Sequence, residues 1–330
     1  MIDLTQTRYV LVLLTPQGEK LYLNEVTQGL QWEEPPDELS VRLTVEVQNQ
    51  KTRYGWLHKL FPMAGRLFLL ADWGEGWKEV WRGTVFDRDN RTDPLGHFMV
   101  TAYDFLFYLK SKDNRYYKSG TKGRTILTDV ANAWKIPLGK VEGPDAALAK
   151  QVMKNQQINS FILDILDQSK KKGAGKFIVR ANAGKMDIVK VGGNSPIYHF
   201  GATANVKVVS DRESIEDLVT RVKIVGSEDR NKKASVVATI DGRTEFGVLQ
   251  EIVTKEKNET PAAAKQAAQE ILSERGKPKK TRRVEAPDLP FLRKGDKVHI
   301  TAGTLNGYYI VTGVHHDPDN RTMTMEVEEP

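Results

Sequence analysis

The chain has 330 residues, with 49 Lys or Arg against 43 Asp or Glu and a formal net charge of +6. That length allows two or three domains with real cores, and so small a basic excess permits contact with nucleic acid without requiring it. There is no cysteine, which excludes disulfides, thiolate metal sites and cysteine nucleophiles, and no apolar run approaches the ~20 residues of a membrane span.

Residues 1–103 read as all-β. Apolar Val10–Leu14 lacks the basic leader and small-residue cleavage site of a signal peptide, and reads as part of a strand over Arg8–Thr15. Leu39, Val41, Leu43, Val45 and Val47 alternate with Ser40, Arg42, Thr44 and Glu46, the period-two pattern of a half-buried strand. Strands over Arg66–Ala71, Lys78–Phe86 and His97–Tyr103 follow at the spacing of a sandwich or barrel. Trp73, Trp77 and Trp81 recur every four residues around Gly74 and Gly76, and Trp77 and Trp81 fall on one face of a continuous strand. Such residues are core if buried and partner anchors if exposed. Asp104 caps a short helix over Phe105–Lys110, and the polar stretch Ser111–Gly123 marks a domain boundary.

Residues 124–200 change character. Ile126, Leu127, Val130 and Trp134 predict a helix over Thr125–Trp134, ended by Pro137. Ser160 caps a second helix over Phe161–Lys172, whose lysines lie at the carbonyl end, where the dipole favours them. A hairpin joins Lys176–Arg180 to Met186–Val191 through Asn182–Gly184.

Residues 201–330 return to β. Val206–Asp211 and Leu218–Val225 read as strands, and Val236–Ile240 pairs with Thr244–Leu249 through Asp241-Gly242. Thr260 caps a helix over 261–275 whose first residue is Pro261, where a missing N–H costs nothing. Three strands close the chain: Lys297–Ala302, Tyr308–His315 and Thr322–Glu328. Gly295-Asp296 turns into the first, Asn306-Gly307 makes one hairpin and Asp317–Asn320 the next. Both faces of the middle strand are apolar, as in a small closed barrel. The fold class so read is mainly β (α+β). Two small β-barrel domains, 1–110 and 201–330, flank an α/β module at 111–200, with the helix 261–275 packed on the second barrel. Asp-Asn-Arg-Thr stands between two strands at both Asp89–Thr92 and Asp319–Thr322, which points to a duplication.

Sites for chemistry are scarce. His315-His316-Asp317 invites a metal reading, but neighbours on a strand point to opposite faces. The acidic pairs Glu33-Glu34, Asp72 with Glu75, and Asp211 with Glu213 sit beside Pro, Gly or Ser and read as solvated turns rather than the paired acids of a glycosidase. Gly120-Thr121-Lys122-Gly123 lacks the spacing of a phosphate loop, and there is no G-x-S-x-G elbow. No catalytic, metal or cofactor-binding residue is assigned. The basic run Lys277-Pro278-Lys279-Lys280-Thr281-Arg282-Arg283 could meet phosphates, yet it has no interleaved aromatics for base stacking and reads as a solvated loop or protein interface. The candidate interface residues are Trp73, Trp77, Trp81, Lys279, Lys280, Arg282 and Arg283.

The order of β-domain, α/β module and β-domain carries Gly295, Asp296 and Val298, then Gly307–Val311, then His315. With the segment Ser214–Gly226, it resembles the baseplate hub proteins of contractile phage tails, PBSX-like prophage hubs among them. Late control protein D and the amino-terminal part of VgrG-type spikes are more distant relatives. The resemblance implies a non-enzymatic homotrimer in which two similar barrels per subunit make a ring of six. Such a ring adapts a hexameric tail tube to a trimeric spike. The implied partners are further copies of the chain, the tube protein, the spike protein and other baseplate proteins, with DNA passing the lumen without specific binding and with no membrane and no cofactor. The resemblance also implies assembly in the bacterial cytoplasm and residence in the baseplate of a virion or a phage-like bacteriocin. Some hubs carry a lytic domain, and this chain ends at its second barrel with no room for one. The other readings weighed are a peptidoglycan-degrading tail hydrolase and a nucleic-acid-binding β-barrel.

Overall fold

The structure, a computed structural model, describes residues 7–90, 96–226, 234–255 and 260–330. Its first segment holds β1 (Arg8–Leu14), β2 (Lys20–Tyr22), β3 (Thr27–Glu34), β4 (Arg42–Gln48), β5 (Lys51–Thr52), β6 (Gly55–Trp56), α1 (Leu57–Leu60), β7 (Arg66–Asp72), β8 (Lys78–Asp89) and β9 (His97–Tyr103). A 3-10 turn over Phe105–Lys110 follows, capped by the Asp104 carboxylate, which accepts from the Leu106 N–H. The middle segment holds β10 (Lys112–Tyr117), α2 (Gly123–Ala133), β11 (Leu138–Val141), β12 (Gln151–Gln157), α3 (Ile158–Lys171), β13 (Phe177–Asn182) and β14 (Lys185–Lys190). The remainder holds β15 (Tyr198–Gly201), β16 (Val208–Ser214), β17 (Arg221–Val225), β18 (Val236–Asp241), β19 (Gln250–Thr254), α4 (Pro261–Arg275), β20 (Lys279–Pro287), β21 (Lys297–Ala302), β22 (Leu305–Asp317) and β23 (Thr322–Glu328).

Thirteen strands form one sheet, in the order β16-β20-β23-β22-β3-β4-β9-β8-β7-β1-β2, with β21 also paired to β22 and β15 to β21. The alternation visible in the sequence decides the faces. Leu43, Val45 and Val47 of β4 are fully buried while Thr44 and Glu46 are not. They join Leu11, Leu13, Trp32, Leu67, Leu69 and Val100 in the first core. A second core lies between α2, α3 and the three-stranded sheet β11-β14-β13, where Ile126, Val130, Ile162, Ile165 and Ile188 meet. A third gathers Val284, Leu292, Val298, Ile300, Val311 and Met325. The link between the two β regions is the antiparallel pairing of β3 with β22, Trp32 opposite His316 and Glu34 opposite Val314. The two regions are therefore one continuous sheet. Among the described residues, β1 pairs only with β2 and β7, and β3 only with β4 and β22, so no ladder closes the first half into a ring.

The chain divides into two compact units, cut at 209/210 and 282/283. In the unit over 210–282, α4 covers the sheet β18-β17-β19, with Ala264 and Ala268 against Val222 and Ile224. The sequence suggests that this helix packs on the second barrel; the sheet it covers is this separate one. Two alanines one turn apart let the helix come close to the β-branched side chains beneath. The helix bounds and the Thr260 cap agree with the sequence reading. The expected hairpin of Val236–Ile240 with Thr244–Leu249 does not form. β18 pairs antiparallel with β17, Thr244–Phe246 is a 3-10 turn, and β19 runs parallel to β17.

Other corrections are local. The polar stretch Ser111–Gly123 contains a strand, β10, paired with β12. Gln157, not Ser160, precedes α3, with no side-chain cap. The hairpin between β21 and β22 turns at Gly303-Thr304, since Ala302 pairs with Leu305; Asn306 and Gly307 lie inside the ladder, opposite Thr301 and Ile300. Gly303 takes the positive φ of 58° that the turn needs. The Asp317–Asn320 turn forms as expected, with Asp317 opposite Thr322. Its counterpart at Asp89–Thr92 lies partly outside the described residues, although β8 and β9 on either side pair antiparallel, as β22 and β23 do.

Candidate functional site

The three tryptophans separate. Trp81 is buried in the first core. Trp73 is buried edge-on to Phe291, ring centroids 5.1 Å apart. Trp77 is 48% exposed, with the Arg8 guanidinium 5.5 Å from its ring centre. Trp77 and Trp81 do not share a strand face. Trp77 precedes β8, and the β7–β8 register shifts between the Leu69–Trp81 and Leu70–Glu79 pairs. The basic run is a strand rather than a loop. Lys279 and Lys280 are exposed on β20, Arg282 faces Asp211 at 3.6 Å, and the Arg283 Nε donates to Glu326 Oε1 at 2.8 Å.

The buried charges are not legible in the sequence. Glu34, whose neighbours suggest a solvated turn, is the last residue of β3 and is buried. Its carboxylate accepts from Arg293 Nε, and Arg293 Nη2 donates to the Ala181 carbonyl at 3.2 Å. The Arg293 N–H donates to Asp296 Oδ2 at 3.0 Å, and Arg180 Nη1 donates to Asp296 Oδ1 at 3.0 Å. Lys294 Nζ donates to the carbonyls of Pro35, at 2.8 Å, and of Glu38. The first segment, the β13–β14 hairpin and the turn before β21 are thus held by one ionic network. Burial pushes Glu34 upward, but the charge and hydrogen bond of Arg293, with Lys294 and Arg180, outweigh it and hold the carboxyl below its usual value. Burial raises Asp296 despite Arg180, and lowers Lys294 despite Glu34. Burial also pushes Asp104 up to about 7, although the N–H groups of Val41 and Leu106 point at its oxygens.

A second cluster lies where β3 meets β22. His316 is fully buried; its Nδ1 is 2.6 Å from Asp288 Oδ1, and the other Asp288 oxygen accepts from the Tyr9 hydroxyl. Burial, then the Asp288 charge, raises the Tyr9 phenol above its usual range. His315 points the other way, half-exposed, 3.4 Å from Glu33. The hydrogen bond from His315 is the largest influence on Glu33, and with Arg42 it overcomes partial burial and lowers the carboxyl. The two histidines therefore face opposite ways, as strand alternation requires.

The carboxylates, the imidazole and the phenol of these clusters bind strands to one another. Asp72 also acts locally. Its Oδ1 accepts from the N–H groups of Gly74 and Gly76 and ties off the turn that carries Trp77. A sequence clue to these buried charges exists in the acidic residues at a strand end and the Arg293-Lys294 pair, but only tertiary proximity joins them.

The chain belongs to the YQBQ-like family, whose model matches residues 38–328. It is 27% identical over 261 residues to the phage-like element PBSX protein XkdQ of Bacillus subtilis strain 168, covering 76% of this chain and 78% of that one. The fold is that of a tail protein from Neisseria meningitidis MC58, with a TM-score of 0.64, 11% identity and coverage of 97% and 96%. A 43 kDa tail protein of prophage MuSo2 from Shewanella oneidensis aligns with a TM-score of 0.64, 13% identity and coverage of 98% and 99%. No helix among the described residues is long and apolar enough to cross a membrane.

Proposed function

We propose that this chain is a structural hub protein of a contractile tail baseplate, in a phage or a phage-derived particle. The observation that carries this reading is fold likeness over nearly the whole length to tail proteins, joined to relatedness with a PBSX protein. The buried ionic network supports a mechanical role, because it fixes three chain segments against one another. In this reading three copies form a ring in which residues 1–110 and 201–330 supply two like-shaped halves, separated by the module at 111–200, so that a trimer presents sixfold shape to a tube and threefold shape to a spike. The antiparallel pairs β8–β9 and β22–β23 support the likeness of the halves. The seven candidate residues then divide by exposure, with Trp77, Lys279, Lys280 and Arg283 exposed. The partners are the chain's own copies, tube, spike and baseplate proteins, and the function is not enzymatic.

Electron microscopy of the parent particle tests this. The expected result is threefold density for this chain between tube and spike; a peripheral position, or one copy per particle, overturns it. Sedimentation of the purified chain gives an independent measure of the trimer.

A further inference from the structure

The net charge of +6 is unevenly spread. Residues 111–200 hold 16 lysine or arginine side chains against 7 carboxylates, a net of +9, so the remainder of the chain sums to −3. Within this segment the charge gathers at the antiparallel pair β10–β12. Residues 111–123 and 147–157 contain six basic side chains and one carboxylate, Asp113.

Register sorts these side chains between two faces. Arg115 stands opposite Met153, and Tyr117 opposite Gln151. These four turn inward. Met153 belongs to the second core, Gln151 is buried, and Tyr117 stacks on Phe161 with ring centroids 6.1 Å apart. Arg115 Nε donates to Asp113 Oδ2 at 2.8 Å, and Trp134 Nε1 donates to the same oxygen at 3.3 Å, so the one carboxylate is engaged on the inner side. By alternation Lys112, Asn114 and Tyr116 of β10, with Val152 and Lys154 of β12, point outward, and all five are exposed. Lys118 and Lys150 flank the pair at one end, where Lys122 bridges to Ala147, and these three lysines are exposed as well. Among the described residues none of the five lysines forms an ion pair. Tyr116 and Val152 lie opposite each other within this basic frame, 65% and 52% exposed.

Unneutralised lysines around a bare aromatic ring narrow the choice of partner. Protein–protein interfaces are depleted of lysine, whereas surfaces that meet nucleic acid are much more positive. Unpaired bases stack on exposed aromatic rings whatever their identity. A duplex keeps its bases stacked inside and leaves such a ring only backbone to touch. We infer that the outer face of β10–β12 binds single-stranded nucleic acid without sequence preference, its lysines on the phosphates and Tyr116 under a base. This face is separate from the basic strand β20, where Arg282 and Arg283 face carboxylates. The inference stands on the face alone, whether or not the chain trimerises.

The test uses the full chain and a fluorescent thymidine oligonucleotide of about 12 nucleotides, a length within the usual span of such sites, followed by anisotropy. The logarithm of the binding constant falls with that of salt concentration, with a slope of about −3.5, or ~0.7 for each of the five lysines. Lys150→Ala with Lys154→Ala reduces the slope by about 1.4. Tyr116→Ala weakens binding about tenfold and leaves the slope as it was. Lys279→Ala with Lys280→Ala changes neither. All these positions are exposed, and circular dichroism verifies that the variants fold. The inference is overturned if the oligonucleotide does not bind at low salt, if Tyr116→Ala binds as well as the native chain, or if a duplex of the same length binds as tightly. Loss of binding in the Lys279 and Lys280 variant also overturns it, moving the contact to β20. Polyglutamate that displaces the probe as well as unlabelled oligonucleotide does overturns it too, assigning the face to an acidic protein.

Discussion

The imidazole of His316 lies flat on the indole of Trp32, ring centroids 3.8 Å apart and planes 3° from parallel. The stack sits at the pairing of β3 with β22, and Asp288 holds the imidazole edge from the side. His316→Ala removes the stack and leaves the Asp288 carboxylate buried with Tyr9 as its remaining partner. A loss of about 3–5 kcal/mol follows for the unit that contains both strands, measurable as a lower urea midpoint. His315→Ala, one residue along and half-exposed, costs less than about 1 kcal/mol.

Glu34 and Arg293 give a second prediction. Glu34→Gln leaves the guanidinium buried without its countercharge and costs about 3–5 kcal/mol, whereas Glu34→Leu with Arg293→Met recovers much of that loss. The pH dependence has a definite sign. The folded carboxyl titrates below its ordinary 4.5, so its stabilisation is fully present above that pH and is lost as pH falls through the folded value. Urea midpoints between pH 3 and 5 should fall for the native chain and lack this component in Glu34→Gln.

Asp104 behaves oppositely. Its carboxyl is raised to about 7 in the fold from an ordinary 3.8, so the folded state keeps a proton that the unfolded chain releases. Stability from this group is full below the unfolded value and declines as pH rises through about 7. The decline between pH 4 and 8 is of order 3 kcal/mol, and Asp104→Asn, which cannot ionise, removes it. A native chain whose midpoint does not depend on Asp104 across this range refutes the prediction.

Gly313 tests the seam between the two halves of the sheet. It follows a register shift in the β22–β23 ladder, and a Cβ there would stand 2.8 Å from Pro36 Cδ and 3.2 Å from the Glu34 carbonyl. Gly313→Ala should cost about 1–3 kcal/mol, with faster amide exchange at Trp32–Glu34. No change in exchange there would mean that Pro36 yields freely.

Strong periodicity makes much of the fold legible. β4 follows from its alternating leucine and valine residues, β9 and β23 have the bounds expected of them, and α4 follows from Thr260 and Pro261. These signals are local, and the elements they specify need no distant partner to be recognised. The β10–β12 pair carries polar residues at most of its positions and shows no strand pattern until its partner is known. Asn306-Gly307 has the residues of a tight turn, but Gly303 stands four residues before Gly307 and the buried alternation of β21 with β22 sets the register. Glu34 looks like a surface acid because the guanidinium that neutralises it is 259 positions away. Of the candidate interface set, the sequence marks aromatic and basic side chains; it does not tell Trp77 from Trp81, because a single shift of register between them decides which one faces inward.

Glu33 and His315 sit side by side although 282 positions separate them, and this has a bearing on synthesis. β3 leaves the ribosome early and must wait for β22 before its outer edge is covered and Glu34 meets its countercharge. A prematurely terminated polypeptide therefore displays a sticky border and a stranded anion, the marks by which chaperones and proteases sort failures. The long reach of this one pairing thus ties the security of the earliest strands to completion of the last ones.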